Sequence, residues 1–349
     1  MDLPAGTRNY TYAQDMAIFR TRTHWVLLAV LFVFLFTAPL YWGNYWLGVA
    51  NLIGITIIAA TGLNILTGYC GQLSIGHAGF IAVGAYTSAV LTNRLELPFL
   101  VGLISAGLIA GLIGMIFGIP SLRVKGFYLA ISTIAAQFII IWVLNHWTGV
   151  TGGFNGISVP PASIGSIIFI SQTSYFYLVM IITVLVIFLA KNLARMRPGR
   201  AFVAVRDNDL AAEVMGINLF RYKLLAFFIG CFLAGIAGSL LAHWIGFMNT
   251  ENFTIMDSIL YIGMIIIGGL GTSVGPIFGV LFIRLLQQGI TLIAPALENT
   301  FTLPAGFTTG IGPMVFGLAI ILFLILEPRG LAHRWQLFKA AYRLWPFSY

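Results

Sequence analysis

YCGQLSIGHAGFIAVGAY, residues 69–86, lies inside a run from Thr23 to Asn93 that contains no Asp, Glu, Lys or Arg. That run is long enough for several membrane spans of about 20 residues each. Within it, however, Gly71, Gly76, Gly79 and Gly84 stand beside Gln72, Ser74 and His77. A second charge-free run extends from Gly126 to Ala190. Over the 349 residues 59% are hydrophobic and 8% charged, where a soluble domain carries about 25% charged residues. The mean hydropathy is +0.97. The chain reads as an integral membrane protein. Its apolar runs are continuous and rich in Leu, Ile, Phe, Ala and Gly, which predicts helices; barrel strands would alternate in polarity over roughly ten residues.

The expected fold is all-α, a polytopic membrane helix bundle with Gly-rich interrupted helices and about ten spans, at 25–40, 46–67, 72–92, 98–119, 127–147, 174–191, 222–244, 257–269, 275–293 and 306–326. The net charge of +8 comes from segments between these runs, so topology accounts for it and no nucleic-acid partner is expected. Placing Arg8 to Arg22, Arg123 with Lys125, residues 191–223 and Arg329 to Arg343 inside satisfies the positive-inside rule, and leaves Glu251, Asp257 and Glu298 on the outer side. Segments 1–24 and 329–349 are then cytoplasmic ends of a transmembrane domain, 25–328, that includes a cytoplasmic loop at 191–223. Tyr41, Trp42, Tyr45, Trp46, Trp147 and Trp244 fall where an aromatic belt at the membrane interface belongs. The apolar stretch 25–38 follows Arg8, Arg20 and Arg22 like a secretory signal, but Pro39 and large aromatics replace the small residues of a cleavage site, so it is expected to stay as the first span.

In the fourth span Gly107, Gly111, Gly114 and Gly118 share one helix face, the pattern that lets two helix backbones approach closely in lipid. The stretch that opened this section has a counterpart, GGLGTSVGP at 268–276, in the other half of the chain. Paired Gly- or Pro-interrupted apolar segments point to a solute path, because irregular backbone at membrane depth needs a protein or water-lined surrounding. On that reading Gly71, Gln72, Ser74 and His77, with Gly268, Gly269 and Gly271, line the path, and amides freed near Gly71 to Gly76 bind a carboxylate. The other reading is a plain cytoplasmic turn between two spans.

Enzymatic chemistry has no foothold. There is no cluster of His, Cys and carboxylates at metal-ligand spacing. No Gly-Lys dipeptide occurs, so the chain cannot form a P-loop. Cys70 and Cys231 are isolated and support neither a disulfide nor a metal site. Arg284 is the one ionisable side chain expected well inside a helix, either snorkelling to an interface or contacting solute. His24, His146, His243 and His333 are expected to anchor span ends.

Residues 191–223 carry seven basic and three acidic residues. Here Asp209 can N-cap a short helix, Leu210 to Met215, with Gly216 after it and Ile217 as the following apolar contact; Asn218 can cap the next span. Leu210, Val214 and Met215 give this helix an apolar face. It is too short to hold alone and is expected to dock, either under its own bundle or on a soluble partner.

Taken in order, GYCGQLSIGHAGFIAVGAY (68–86), LRVKGFYLAIST (122–133), TGGFNGI (151–157), GRAFVAVRDNDLAAEVMGIN (199–218), GGLGTSVGPIFG (268–279) and EPRGL (327–331) resemble the permease subunits of branched-chain amino acid ABC importers, over roughly 46–331. The resemblance implies a permease of the bacterial inner membrane, surrounded by lipid. Its partners would be a second homologous permease, two cytoplasmic ABC ATPases and a periplasmic or lipid-anchored substrate-binding protein. It implies no cofactor on this chain, with ATP and magnesium held by the partner ATPases. It also implies that Asp209, Ala211, Ala212, Glu213, Gly216 and Asn218 form the element that couples to an ATPase. Solutes of such permeases include branched-chain and other amino acids, urea and short amides. Phe127 and Phe154 depart from the family pattern, where smaller or more polar residues are expected. The rival reading is a stand-alone secondary transporter or channel for a small polar solute such as urea or an amide.

Overall fold

The computed structural model describes residues 22–121, 126–165, 167–301 and 307–344. Arg8, Arg20, Arg123 and Lys125 lie outside the described residues, and Arg22, Glu298 and Arg343 are described by backbone alone. The helices are α1 (Arg22–Tyr41), α2 (Asn44–Leu63, continued by a π-helical stretch Asn64–Tyr69), α3 (His77–Asn93), α4 (Phe99–Ser121), α5 (Phe127–His146), α6 (Gln172–Arg195), α7 (Arg197–Asp207), α8 (Asp209–Val214), α9 (Leu219–Ile245), α10 (Ile255–Gly268), α11 (Gly275–Phe301), α12 (Phe307–Leu326) and α13 (Leu331–Leu344). Extended structure is confined to two-residue pairings, Ile157–Ser158 with Phe247–Met248 and Ser163–Ile164 with Ile167–Ile168.

The all-α bundle is as expected, and the structure shows fewer clear spans than the ten expected. Among the described residues seven helices are long and apolar enough to cross a membrane, or eight if α12 and α13, bent by 44° at their junction, form one broken span. Two expected spans are short. The apolar part of α1 runs only from Trp25 to Tyr41. α3 loses the residues before His77 to irregular chain and keeps 17 residues of helix, buried on nearly every side.

The centre of the bundle is built from close helix approaches. The glycine stripe of α4 faces α9 as expected: a Cβ on Gly107, Gly111 or Gly118 would touch Phe232, Phe228 or Phe227, and one on Gly114 would stand 2.4 Å from Cys231 Sγ. α3 meets the same helix through Gly84 and Gly238, where a Cβ on Gly238 would lie 2.0 Å from the Ile81 carbonyl. α2 and α9 cross at Gly62 and Gly230. In lipid, dispersion between such closely set backbones does the work that water-driven burial does elsewhere.

Local sequence sets the helix ends. Ser171 caps α6 by accepting from Ser174 N, and Thr254 with Asp257 forms a capping box on α10. The tryptophans sort themselves differently from expectation at one point. Trp42, Trp46 and Trp147 are exposed at helix ends, but Trp244 is partly buried and donates to Gln172 Oε1 at 3.1 Å, a bond that also engages Asn51.

Candidate functional site

The helix α2 does not end cleanly. After Leu63 it widens into the π-helical stretch, Cys70 N bonds back to Ile65 O, and Gly71 turns the chain at φ +70°. From there residues 72–76 run as irregular, non-helical chain into the bundle. Gln72 N donates to Leu66 O and its carbonyl accepts from Thr67 Oγ1. Ile75 N donates to Thr133 Oγ1 at 3.0 Å, and a Cβ on Gly76 would lie 1.9 Å from the Thr133 carbonyl, so only glycine lets α5 pass. α3 begins at His77, whose Nε2 lies 2.9 Å from the carbonyl of Ala59. Ala59 is ten residues before Tyr69, about 15 Å along the helix. The interruption therefore carries irregular backbone to membrane depth, buried in protein, as the physics of lipid demands.

Deep inside, Ser258 of α10 accepts from Ala78 N at 2.9 Å and donates to Gln137 Oε1 at 2.8 Å. Gln137 Nε2 reaches the Phe253 carbonyl. The first turn of α3 is thus tied to α5 and α10. Ser74 Oγ and His77 Nδ1 are fully buried and have no hydrogen-bond partner, and the His77 ring stands edge-on to Tyr261 at 5.9 Å.

The second break meets the first. α10 stops at Gly268, Gly269 and Gly271 take φ +112° and +69°, and α11 starts at Gly275. Asn64, inside the π-helical stretch, donates to Thr272 O and accepts from Gly271 N, both at 2.9 Å; Tyr69 bonds Ser273 at 3.0 Å. The EPRGL turn closes on the same place, Gly330 packing on Gly269 and Arg329 O lying 3.1 Å from where a Gly269 Cβ would be. Between the two breaks stands Arg206 of α7. Its Nη1 donates to Gly68 O at 2.9 Å, and its side chain fills the space that a Cβ on Gly71 or Gly271 would need.

Arg206 leads directly to the polar loop. α7 and α8 are joined by Asn208, whose extended backbone and Oδ1, accepting from Ala211 N at 3.0 Å, make it the N-cap of α8. The expected cap, Asp209, is corrected to the first helical position, because the preceding asparagine already serves the orphan amide; Asp209 instead sits 3.7 Å from Lys223 Nζ. The far end is as expected. Gly216, at φ +85°, donates to Glu213 O, and Ile217 N donates to Ala212 O, a complete Schellman closure. Asn218 Oδ1 caps α9 through Arg221 N. Ala212 turns inward, while Ala211 and Glu213 are exposed, and Leu210, Val214 and Met215 are 68%, 87% and 82% exposed. Beneath this loop a recess of about 330 Å³ is lined by Gly71, Gln72, Gly126, Arg206, Asp209 and Lys223.

The structure thus divides the expected path residues. Gly71, Gln72 and Gly271 stand at the basic end of the bundle against α7, with Gly268 and Gly269 behind them, whereas Ser74 and His77 lie deeper. Phe127 and Phe154, at 73% and 70% exposure, face outward. Sequence reasoning missed Arg206, Asn64 and the Thr133–Gln137–Ser258 set; the readable signal for Asn64 was a lone amide amid apolar residues. His243 is also corrected. It does not anchor an interface but is buried, bonded to Ser88 at 3.0 Å and to the Pro160 carbonyl at 2.7 Å. Among the described residues no group of His, Cys, Asp and Glu could hold a metal ion.

Residues 45–325 match a family model described as branched-chain amino acid transport system / permease component. The chain is 31% identical, over 88% of its length and 74% of the relative's, to the high-affinity branched-chain amino acid transport system permease protein LivM of Escherichia coli (strain K12). It is 24% identical, over 80% and 90%, to a probable LivM permease of Methanocaldococcus jannaschii, and 27% identical, over 71% and 67%, to the autoinducer 2 import system permease protein LsrC of Enterobacter sp. (strain 638). No solved structure matches.

Proposed function

Because the chain belongs to the family of permease components of branched-chain amino acid transport systems, we propose that it carries branched-chain or other hydrophobic amino acids across the bacterial inner membrane as one permease of an ATP-driven importer. It works beside a second homologous permease, two cytoplasmic ATPases that hold ATP and magnesium, and a periplasmic or lipid-anchored binding protein. The observation that carries this reading is the linkage of α8, an exposed apolar knob closed at both ends, through Arg206 to both glycine breaks.

A six-residue helix is not stable by itself. Its caps fix its shape so that force applied to it moves it as a unit. An ATPase groove that receives Leu210, Val214 and Met215 displaces α8 when the ATPases close. α7 follows, and with it the Arg206 guanidinium seated on Gly68, Gly71 and Gly271. Those glycine turns are where α2 meets 72–76 and where α10 meets α11, so one displacement reorients two pairs of segments. Alternation between outward-open and inward-open states then needs only that ATP and solute bind the two states with different affinities. Asp209, Ala211, Ala212, Glu213, Gly216 and Asn218 form or shape the coupling surface.

The test is reconstitution. Proteoliposomes holding this chain, its partner permease and both ATPases, supplied with the binding protein and ATP, accumulate leucine. The same chain alone does not. Uphill uptake by the chain alone, driven by an ion gradient, overturns the reading.

A further inference from the structure

From Gly275 to Leu297, α11 carries only one row of polar side chains. Arg284, Gln287, Gln288 and Thr291 recur at helical spacing on a single face. Arg284 Nε and Nη2 donate to Thr56 Oγ1 of α2 at 3.2 and 3.0 Å, and Nη1 donates to Gln287 Oε1 at 3.1 Å. Gln288 is bonded to Tyr45 near the start of α2. The stripe therefore runs along α2 from its outer end inward, with the guanidinium at the bottom.

The depth of that guanidinium is set by the helices. Arg284 is nine residues beyond Gly275, about 13.5 Å along α11. Thr56 is thirteen residues before Tyr69, about 20 Å along α2. In a hydrocarbon layer about 30 Å thick both are near the middle, and Arg284 is drawn inward to Thr56 rather than outward to an interface.

No carboxylate among the described residues lies within ion-pair distance of Arg284. Asp257 is held in its capping box, accepting from Thr254 N and Oγ1 at 2.9 and 2.7 Å. Thr56 donates its own proton to Leu52 O, so it serves Arg284 only as an acceptor. Tyr261, one neighbour of the guanidinium, links it to His77 and the start of α3. A half-buried guanidinium at mid-membrane, reached by a row of amides and hydroxyls, is suited to a planar anion brought along a wet path.

We propose that Arg284 binds the carboxylate of the solute at the foot of a polar path formed by Gln287, Gln288 and Thr291 against α2. This rests on the amino acid importer reading above and adds the contact that reading lacks.

The test uses the complete reconstituted importer and radiolabelled leucine, and reads leucine taken up per ATP hydrolysed. Arg284→Gln is expected to lower that ratio about tenfold or more, the worth of a charge-assisted hydrogen bond, with Arg284→Lys recovering part of it. A ratio within about twofold of the unaltered protein overturns the proposal. So does a loss of ATP hydrolysis and uptake together at normal membrane content, which marks a structural part. If the unaltered importer moves urea but no amino acid, the amino acid part of that reading fails as well, and the two failures are told apart by that control.

Discussion

Removing the Arg206 side chain tests the coupling linkage at its narrowest point. In Arg206→Ala the hydrogen bond to Gly68 O is lost, together with the filling between Gly71 and Gly271. A charge-assisted bond contributes about 1.5–3 kcal/mol when buried. The Arg206 side chain is 36% exposed, so about 1–2 kcal/mol is the appropriate range here. Its contact with Asp207, its sequence neighbour, lies at the surface and adds less than about 1 kcal/mol. Arg206 takes no part in the glycine-lined helix crossings, so membrane content should be unchanged. If the bond holds α7 to the breaks during the stroke, its loss weakens coupling by a factor of about 5–30. Reconstituted with the ATPases and binding protein, the variant should hydrolyse ATP while leucine uptake per ATP falls by that factor. Arg206→Lys, which keeps a charge without the planar fork, should fall between. Uptake per ATP equal to that of the unaltered protein refutes the linkage. Loss of the variant from the membrane shows instead that Arg206 serves assembly.

Replacing Glu213 and Gly216 together should leave insertion intact and uncouple ATP hydrolysis from uptake; Gly216 has open space around it, and a side chain at φ +85° costs about 1–2 kcal/mol confined to the α8 closure. Normal uptake by that double variant counts against the docking element. Gly238→Val must push α3 and α9 apart, since even its Cβ would meet backbone at 2.0 Å, so thermal unfolding in detergent should come several degrees earlier than for Gly289→Ala, which meets nothing. Equal unfolding temperatures would show that the crossing is loose. Cys70 and Cys231 have no exposed surface and should stay unlabelled by a membrane-permeant maleimide until the protein is denatured; labelling of folded protein contradicts the packing around the first break.

What could be read from the chain was local. The α4 stripe, the Gly216–Ile217 closure and the Asn218 cap depend on residues within a turn or two of one another, and each is found in place. Asp209 was displaced by one position because two capping residues compete at 208 and 209, and only backbone geometry decides between them. The bounds of the expected third span differ where helix gives way to irregular chain: hydropathy registers the residues before His77 as part of an apolar run, though they are not helical. The meeting of the breaks was beyond reach. Asn64 and Gly271 are separated by 207 residues, and no periodicity announces that one amide side chain will satisfy both ends of a remote turn.

The irregular chain before α3 and the first turn of α3 borrow partners from far along the polypeptide, Ile75 from Thr133 and Ala78 from Ser258, 180 residues later. A chain emerging from the ribosome reaches residue 78 long before residue 258 exists. During that interval the Ala78 amide lacks the partner it has in the folded protein and cannot be left in lipid. The start of α3 must therefore stay in a watery or proteinaceous shelter, such as the insertion machinery itself, until α10 arrives. The last step of biogenesis is then a docking of an early segment by a late one, and a product truncated before residue 258 should be an open, protease-sensitive species rather than a smaller version of the native bundle.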